Sequence, residues 1–186
     1  MTRTKIMQAA FHNFGEHGFS GGSLAQIAEI VGIRKQSIYT YFKSKDALYL
    51  AISKEAMESE LRFTKHFMDD HLEHSIEATL YPLLELLQKR FETQDETKFF
   101  IRSTFLPPQH LEQSLLEQTY FYLDSLEAIF TLYFNNQSLA VSAEDAAVSF
   151  LALLDSLYVE MLYGGNERFV KRLQAGWKIF YRGITN

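Results

Sequence analysis

The sequence predicts an all-α fold. Apolar residues recur with the 3.6-residue period in nearly every segment, no run keeps a sustained period of two, and only three prolines occur, two of them adjacent at Pro107-Pro108. Helix ends are marked by Gly15, Gly18, Gly21-Gly22, Gly32, Pro107-Pro108, Asn135-Asn136 and Gly164-Gly165. A chain of 186 residues is expected to form one compact unit with functional subdivisions. About nine helices are expected: a three-helix head at residues 1–46, then a long helix leading into a helical body, the two together filling 47–186.

In the head, helix one is predicted from Arg3 to His17, with Ile6, Ala10 and Phe14 on one face and Gly18 as the stop. Helix two opens with Ser23-Leu-Ala-Gln26, a capping box in which the serine oxygen and the glutamine side chain can satisfy orphan N–H groups reciprocally. Leu24, Ile27, Ala28 and Val31 then repeat at helical spacing, and Gly32 fits the left-handed residue that ends a helix. Helix three is predicted from Arg34 to Phe42, after a turn whose length matches a helix-turn-helix.

On a wheel of about 100° per residue, Ile38, Tyr41 and Phe42 of helix three share one side, while Gln36 and Thr40 point away, flanked by Lys35 and Tyr39. Such a face matches a major groove. Glutamine can read adenine through two hydrogen bonds, threonine can meet a thymine methyl, and Arg34 can reach guanine or a phosphate. Ser44 can cap the next helix, where Lys43 and Lys45 are placed to hold a polyanion backbone. The charge agrees: six Lys/Arg against three acids in residues 1–50, but 12 against 20 in the remainder, within a net −5.

The run Gly18-Phe-Ser-Gly-Gly-Ser-Leu-Ala-Gln-Ile-Ala-Glu-Ile-Val-Gly-Ile-Arg-Lys-Gln-Ser-Ile-Tyr-Thr-Tyr-Phe-Lys-Ser-Lys-Asp-Ala-Leu48 resembles the TetR family of bacterial repressors. The elements that carry the likeness are Gly18 with Phe19, Ser23, Ile27-Ala28, Gly32 with Ile33, Tyr39, Phe42, and Lys45 followed by an acid and Leu48, over about residues 4–50. The resemblance implies backbone contacts from Ser23, Tyr39 and Lys45, and base or phosphate contacts from Arg34, Lys35, Gln36, Ser37, Thr40 and Tyr41. It implies a body of about six helices that binds a ligand and forms the dimer. The implied function is a ligand-responsive repressor that binds a palindromic double-stranded DNA operator as a homodimer; the aromatic residues of the body point to a small hydrophobic or aromatic effector that releases it. Two departures stand out: Gly22 replaces a frequent threonine, and Gln36 replaces a frequent small residue. The first removes a partner for phosphate, and the second adds a side chain able to read a base.

In the body, a long helix is expected from Asp46 to about Met68, then helices at 73–93, 95–105, 109–135, 142–163 and 166–184. Aromatic residues make up 15% of the chain, and Phe63, Phe91, Phe100, Arg102, Phe105, Gln118, Tyr122 and Phe130 are candidates to line an effector cavity. The last two helices carry a wide apolar band, so Ser149, Ala152, Leu153, Ser156, Phe169, Leu173 and Trp177 are candidates for a two-fold interface.

Competing chemistry has little support. His66, Asp70 and His74 are spaced to ligate a metal only on one unbroken helix, and a solvated helix end is the expected setting, so no metal site or cofactor is assigned. There is no cysteine, no nucleophile elbow and no phosphate loop, which argues against an enzyme. The alternative is an all-helical small-molecule-binding or metal-binding protein without DNA-reading function. No uninterrupted apolar run of membrane-spanning length and no secretory signal is seen, so a cytoplasmic protein outside the membrane is expected.

Overall fold

A computed structural model describes residues 2–185. Within them lie α1 (Thr2–Gly21), α2 (Leu24–Val31), α3 (Lys35–Ile38), α4 (Lys45–Asp70), α5 (Ile76–Thr93), α6 (Asp95–Phe105), α7 (Glu112–Phe134), α8 (Ala143–Val159) and α9 (Gly165–Thr185). No strand occurs among the described residues, as the sequence predicts. Compactness groups the chain into two units, one running to Glu60 and including Phe91–Phe121, the other made of Leu61–Arg90 and the chain from Tyr122 onward. The first unit thus adds the first part of α4, the end of α5, all of α6 and the start of α7 to the three-helix head.

In the first unit, α1 departs from helical geometry at Gly18 (φ 66°, ψ −179°), the predicted stop, and resumes for a final turn to Gly21. That left-handed φ is open to glycine at little cost. Gly32 (φ 74°, ψ 35°) closes α2, its N–H and that of Ile33 returning to the carbonyls of Glu29 and Ala28. The core joins α1, α4 and α6 through Phe11, Phe14, Tyr49 and Phe99, with Phe11 and Tyr49 both against Phe99 at 5.6 and 5.1 Å between ring centres. Each such buried phenyl contributes about 1.5–3 kcal/mol. α1 meets α6 at Gly15, where an added Cβ would touch the main chain of Asp95 and Phe99 at 3.5 Å, an ordinary van der Waals distance. Arg102 of α6 donates to the carbonyls of Gly15 and Glu16, Lys98 pairs with Glu16, and His12 meets Asp95 at 3.1 Å.

In the second unit, α5 starts at Ile76 rather than 73, because a turn through His71 and His74 intervenes and Ser75 supplies the first cap, its Oγ accepting the Ala78 N–H. Leu80, Leu83, Leu84 and Leu87 of α5 are buried, and Phe150 of α8 packs against Phe130 at 4.7 Å and Phe180 at 5.6 Å. The helix predicted to continue to Tyr163 changes to π geometry over Glu160–Gly164. The cause is local. The Glu160 carboxylate is 4% exposed, accepts Arg168 Nε at 2.9 Å, pairs with Arg172, and sits where a Cβ on Gly164 would collide with it.

One sequence expectation is corrected in this unit. The stretch Ala143–Thr185 contains a window of mean hydropathy 1.5, long and apolar enough by composition to cross a membrane. An uninterrupted run was the wrong criterion, because α8 is apolar on more than one face. Ala146, Ala147, Phe150, Leu154 and Leu157 make the side turned into the unit's core, while Val148 and Val159 stay exposed.

Candidate nucleic-acid interface

α2 and α3 enclose the turn at Gly32, and α3 presents its outer side beyond the buried Ile38 and Phe42. Arg34, Lys35, Gln36, Tyr39, Thr40 and Tyr41 are exposed and Ser37 is half-buried. Two details differ from the sequence reading. α3 keeps α-geometry for only four residues, Lys35–Ile38, instead of reaching Phe42. Tyr39, Thr40 and Tyr41 N–H groups each bond three residues back, to Gln36, Ser37 and Ile38. Tyr41 is 43% exposed rather than buried with Ile38 and Phe42.

At the start of α4, Ser44 Oγ accepts the Ala47 N–H at 3.0 Å, the predicted cap. The Lys45 ammonium sits 4.2 Å above the Phe19 ring, and burial lowers its pKa from the ordinary lysine value. His110 covers the other side of the corner, at 4.9 Å from the Phe19 ring and 3.3 Å from Asp46 Oδ1. Lys45 therefore both anchors the corner and leaves its half-buried side chain near the surface.

The capping box at Ser23 is only half formed. Ser23 Oγ accepts the Gln26 N–H as predicted, but the Ser23 N–H goes to Asn13 Oδ1 at 3.0 Å, not to Gln26. Asn13 is 3% exposed and was missed as a site residue. Its signal was present: an amide beside Phe14 on the apolar face of helix one must find partners when buried. It also explains Gly22, since a Cβ there would lie 2.5 Å from Asn13 Oδ1 and 2.6 Å from the Phe14 ring.

The candidate effector residues divide between the units. In the first, Phe100 is buried, Phe91 and Phe105 are half-buried, Arg102 Nη1 is committed to α1 carbonyls, and Gln118 Oε1 is buried without a hydrogen-bond partner. In the second, Tyr122 is buried, Phe130 packs on Phe150, and Phe63 lies 3.8 Å beneath the Arg90 guanidinium.

Of the candidate interface residues, Ser149 and Ala152 are exposed and Leu153 and Ser156 half-buried on α8. Phe169, Leu173 and Trp177 are corrected: at 1%, 3% and 7% exposure they face the core of their own unit, where Trp177 meets Tyr81. Val170 and Ile179 are the large apolar residues exposed on α9. His66 and Asp70 pair at 3.6 Å in solvent, and α4 ends at Asp70, so His74 lies beyond that helix.

Residues 6–52 match the family model described as bacterial regulatory proteins, tetR family. The head is a TetR-family domain. The HTH-type transcriptional regulator RutR of Escherichia coli K12 is 40% identical over 65 residues, 35% of this chain and 31% of RutR. UidR of the same organism, also an HTH-type transcriptional regulator, is 36% identical over 84 residues, 42% of this chain and 43% of UidR. The chain thus covers less than half the length of either relative. Beyond the head, likeness lies in the fold. A TetR transcription regulator of Haloarcula marismortui superposes with a TM-score of 0.71 at 22% identity, covering 99% of this chain and 98% of that one. NalD of Pseudomonas aeruginosa, the secondary repressor of the MexAB-OprM multidrug efflux pump, gives 0.69 at 19% identity, covering 100% and 96%.

Proposed function

We propose that this chain is a ligand-responsive transcriptional repressor, acting as a homodimer on a palindromic double-stranded DNA operator. The observation that carries the reading is the outer face of α3 and the turn after it, where Gln36, Thr40, Tyr39, Lys35 and Arg34 stand exposed over a TetR-family head. Residues 1–46 read the DNA. Arg34, Lys35, Gln36, Ser37, Thr40 and Tyr41 meet bases or phosphates, while Tyr39 and Lys45 hold the backbone. Relatives over the head include AcnR of Corynebacterium diphtheriae, an HTH-type transcriptional repressor, 34% identical over 55 residues.

Residues 47–186 bind a small hydrophobic or aromatic effector and form the dimer. A structural neighbour of the same fold, FadR of Bacillus subtilis, was solved with stearoyl-CoA, and here the unpartnered Gln118 Oε1 is an acceptor suited to an effector's donor. The exposed Val148, Ser149 and Ala152 of α8 and Ile179 of α9 supply an apolar surface for a second copy. The effector favours the form that fits DNA poorly, and by linkage it weakens operator affinity by the same factor, about 1–3 kcal/mol in coupling energy. No covalent step, cofactor or metal enters this function, and the working compartment is the cytoplasm.

Selection of duplexes from a random library by the full chain, near physiological salt and with competitor DNA, tests the reading. Enrichment of a palindrome whose recovery is lost in Gln36→Ala/Tyr39→Ala supports it. Retention of all duplexes alike, or none, would overturn it.

A further inference from the structure

Position in the motif nominates Ser23 for a phosphate contact, but the hydrogen-bond directions at the start of α2 commit its proton elsewhere. Asn13 Oδ1 accepts the Ser23 main-chain N–H at 3.0 Å. A main-chain N–H only donates, which fixes the Asn13 amide and leaves Nδ2 as the atom facing Gln26. Nδ2 also only donates, and it does so to Gln26 Oε1 at 3.4 Å. Gln26 thus turns its carbonyl oxygen inward, and the same oxygen accepts the Ser23 hydroxyl at 2.8 Å. Ser23 Oγ also accepts the Gln26 N–H at 3.3 Å, and with its single proton given to Gln26 Oε1 it has none left for an anion. The other amide atom of the exposed Gln26 side chain is Nε2, which carries two N–H donors.

We propose that Gln26, through Nε2, is the residue that donates to a DNA phosphate at the start of α2, and that Asn13 and Ser23 hold it in that orientation. This assignment rests on the DNA-reading function proposed above. The first helix of a helix-turn-helix crosses the phosphodiester backbone, and glutamine amides are among the side chains that contact phosphate oxygens. Gly22 offers no donor of its own, because Asn13 and Phe14 leave no space for a Cβ there. The buried amide that excludes a hydroxyl-bearing side chain at 22 therefore orients a replacement donor at 26. A glutamate at 26 would accept from Asn13 and Ser23 equally well, but its second oxygen would face the phosphate as an anion.

The test uses the full chain and the palindromic duplex recovered by the selection above, with affinity read by fluorescence anisotropy and single phosphates replaced by neutral methylphosphonates. Gln26→Glu is expected to melt at or above the wild-type temperature and to bind at least about ten-fold more weakly. At one phosphate in each half-site, methylphosphonate should weaken the wild type and leave Gln26→Glu no weaker. Wild-type affinity in Gln26→Glu, or a loss that is the same whichever phosphate is neutralised, overturns the assignment. A melting temperature well below wild type would overturn the inward placement of Oε1. If the wild type itself shows no salt-dependent duplex binding, the DNA-reading function falls as well; a wild type that reads its palindrome beside an equally tight Gln26→Glu removes only the role of Gln26.

Discussion

Arg102 Nη1 donates to the main-chain oxygen of Gly15 at 3.1 Å and to that of Glu16 at 3.2 Å. One guanidinium on α6 thereby holds the end of α1 where Gly18 leaves helical geometry, and Arg102 Nε lies 3.4 Å from the position a Gly18 Cβ would take. Arg102→Met keeps much of the aliphatic stem and removes both bonds. The partial exposure of the site reduces the usual value of charged hydrogen bonds, so a loss of about 1–2 kcal/mol is expected. Urea denaturation at constant slope should show the midpoint falling. Arg102→Lys should recover only part, because an ammonium lacks the planar fork. An unchanged midpoint in Arg102→Met would mean that the two bonds add nothing to stability.

Gly22→Thr restores the residue common in the family and is nevertheless expected to destabilise this chain. The new Cβ would fall 2.5 Å from Asn13 Oδ1 and 2.6 Å from Phe14 Cδ1, and Phe14 is fully buried. Overpacking of this kind costs about 1–3 kcal/mol. Asn13→Ala should itself be destabilising, since it leaves the Ser23 N–H unpaired, yet the double variant should lose less than the sum of the two single losses, because the clash and its cause are removed together. Thermal melts of all four proteins measure this; strict additivity would mean that Phe14, not Asn13, sets the exclusion.

The legible parts of the fold were those with local causes. Gly18 and Gly32 end helical segments where their freedom at positive φ was read from sequence, and Ser23 and Ser44 cap as their hydroxyls allow. What could not be read was set by contacts distant in sequence. Asn13 takes the Ser23 N–H from the expected Gln26, Arg102 serves α1, and Glu160 gathers Arg168 and Arg172 beneath a π turn. In the site, the residue types of the reading face were legible, but the wheel assumed uniform α-geometry. The α-geometry ends at Ile38, and Tyr41 stands at the surface where the wheel had turned it inward.

Glu160 makes a pH prediction. The hydrogen bond from Arg168, and then the charges of Arg168 and Arg172, hold its carboxyl below the ordinary value of 4.5 in the folded chain. A carboxyl whose folded pKa is depressed stabilises the fold above its unfolded pKa and loses that contribution as pH falls through the folded value. Wild type should therefore melt higher than Glu160→Gln at neutral pH, with the gap closing as pH drops below about 4.5. Melting curves between neutral and acidic pH test this, and a gap independent of pH would assign the difference to packing under Gly164 rather than to charge.

Gln36 and Lys45 should separate specificity from affinity. Gln36 stands exposed on α3 and can pair with adenine through its oxygen and nitrogen, so Gln36→Ala should cost about 1–3 kcal/mol on the selected palindrome and relax the preference at one base in each half-site. Lys45 belongs to the corner of Phe19, His110 and Asp46, where no base edge need be read. Lys45→Ala should weaken all duplexes alike and reduce the salt dependence of binding by about one counterion per site. Since it also removes the contact above Phe19, a stability loss of about 0.5–1 kcal/mol is expected with it, so affinities must be compared well below the melting temperature. Binding of the selected palindrome and of a scrambled duplex, each across a salt series, measures both terms. Equal losses on the two duplexes for both variants would sink the division, whereas a sequence-dependent loss in Lys45→Ala would move the ammonium from the corner to the groove.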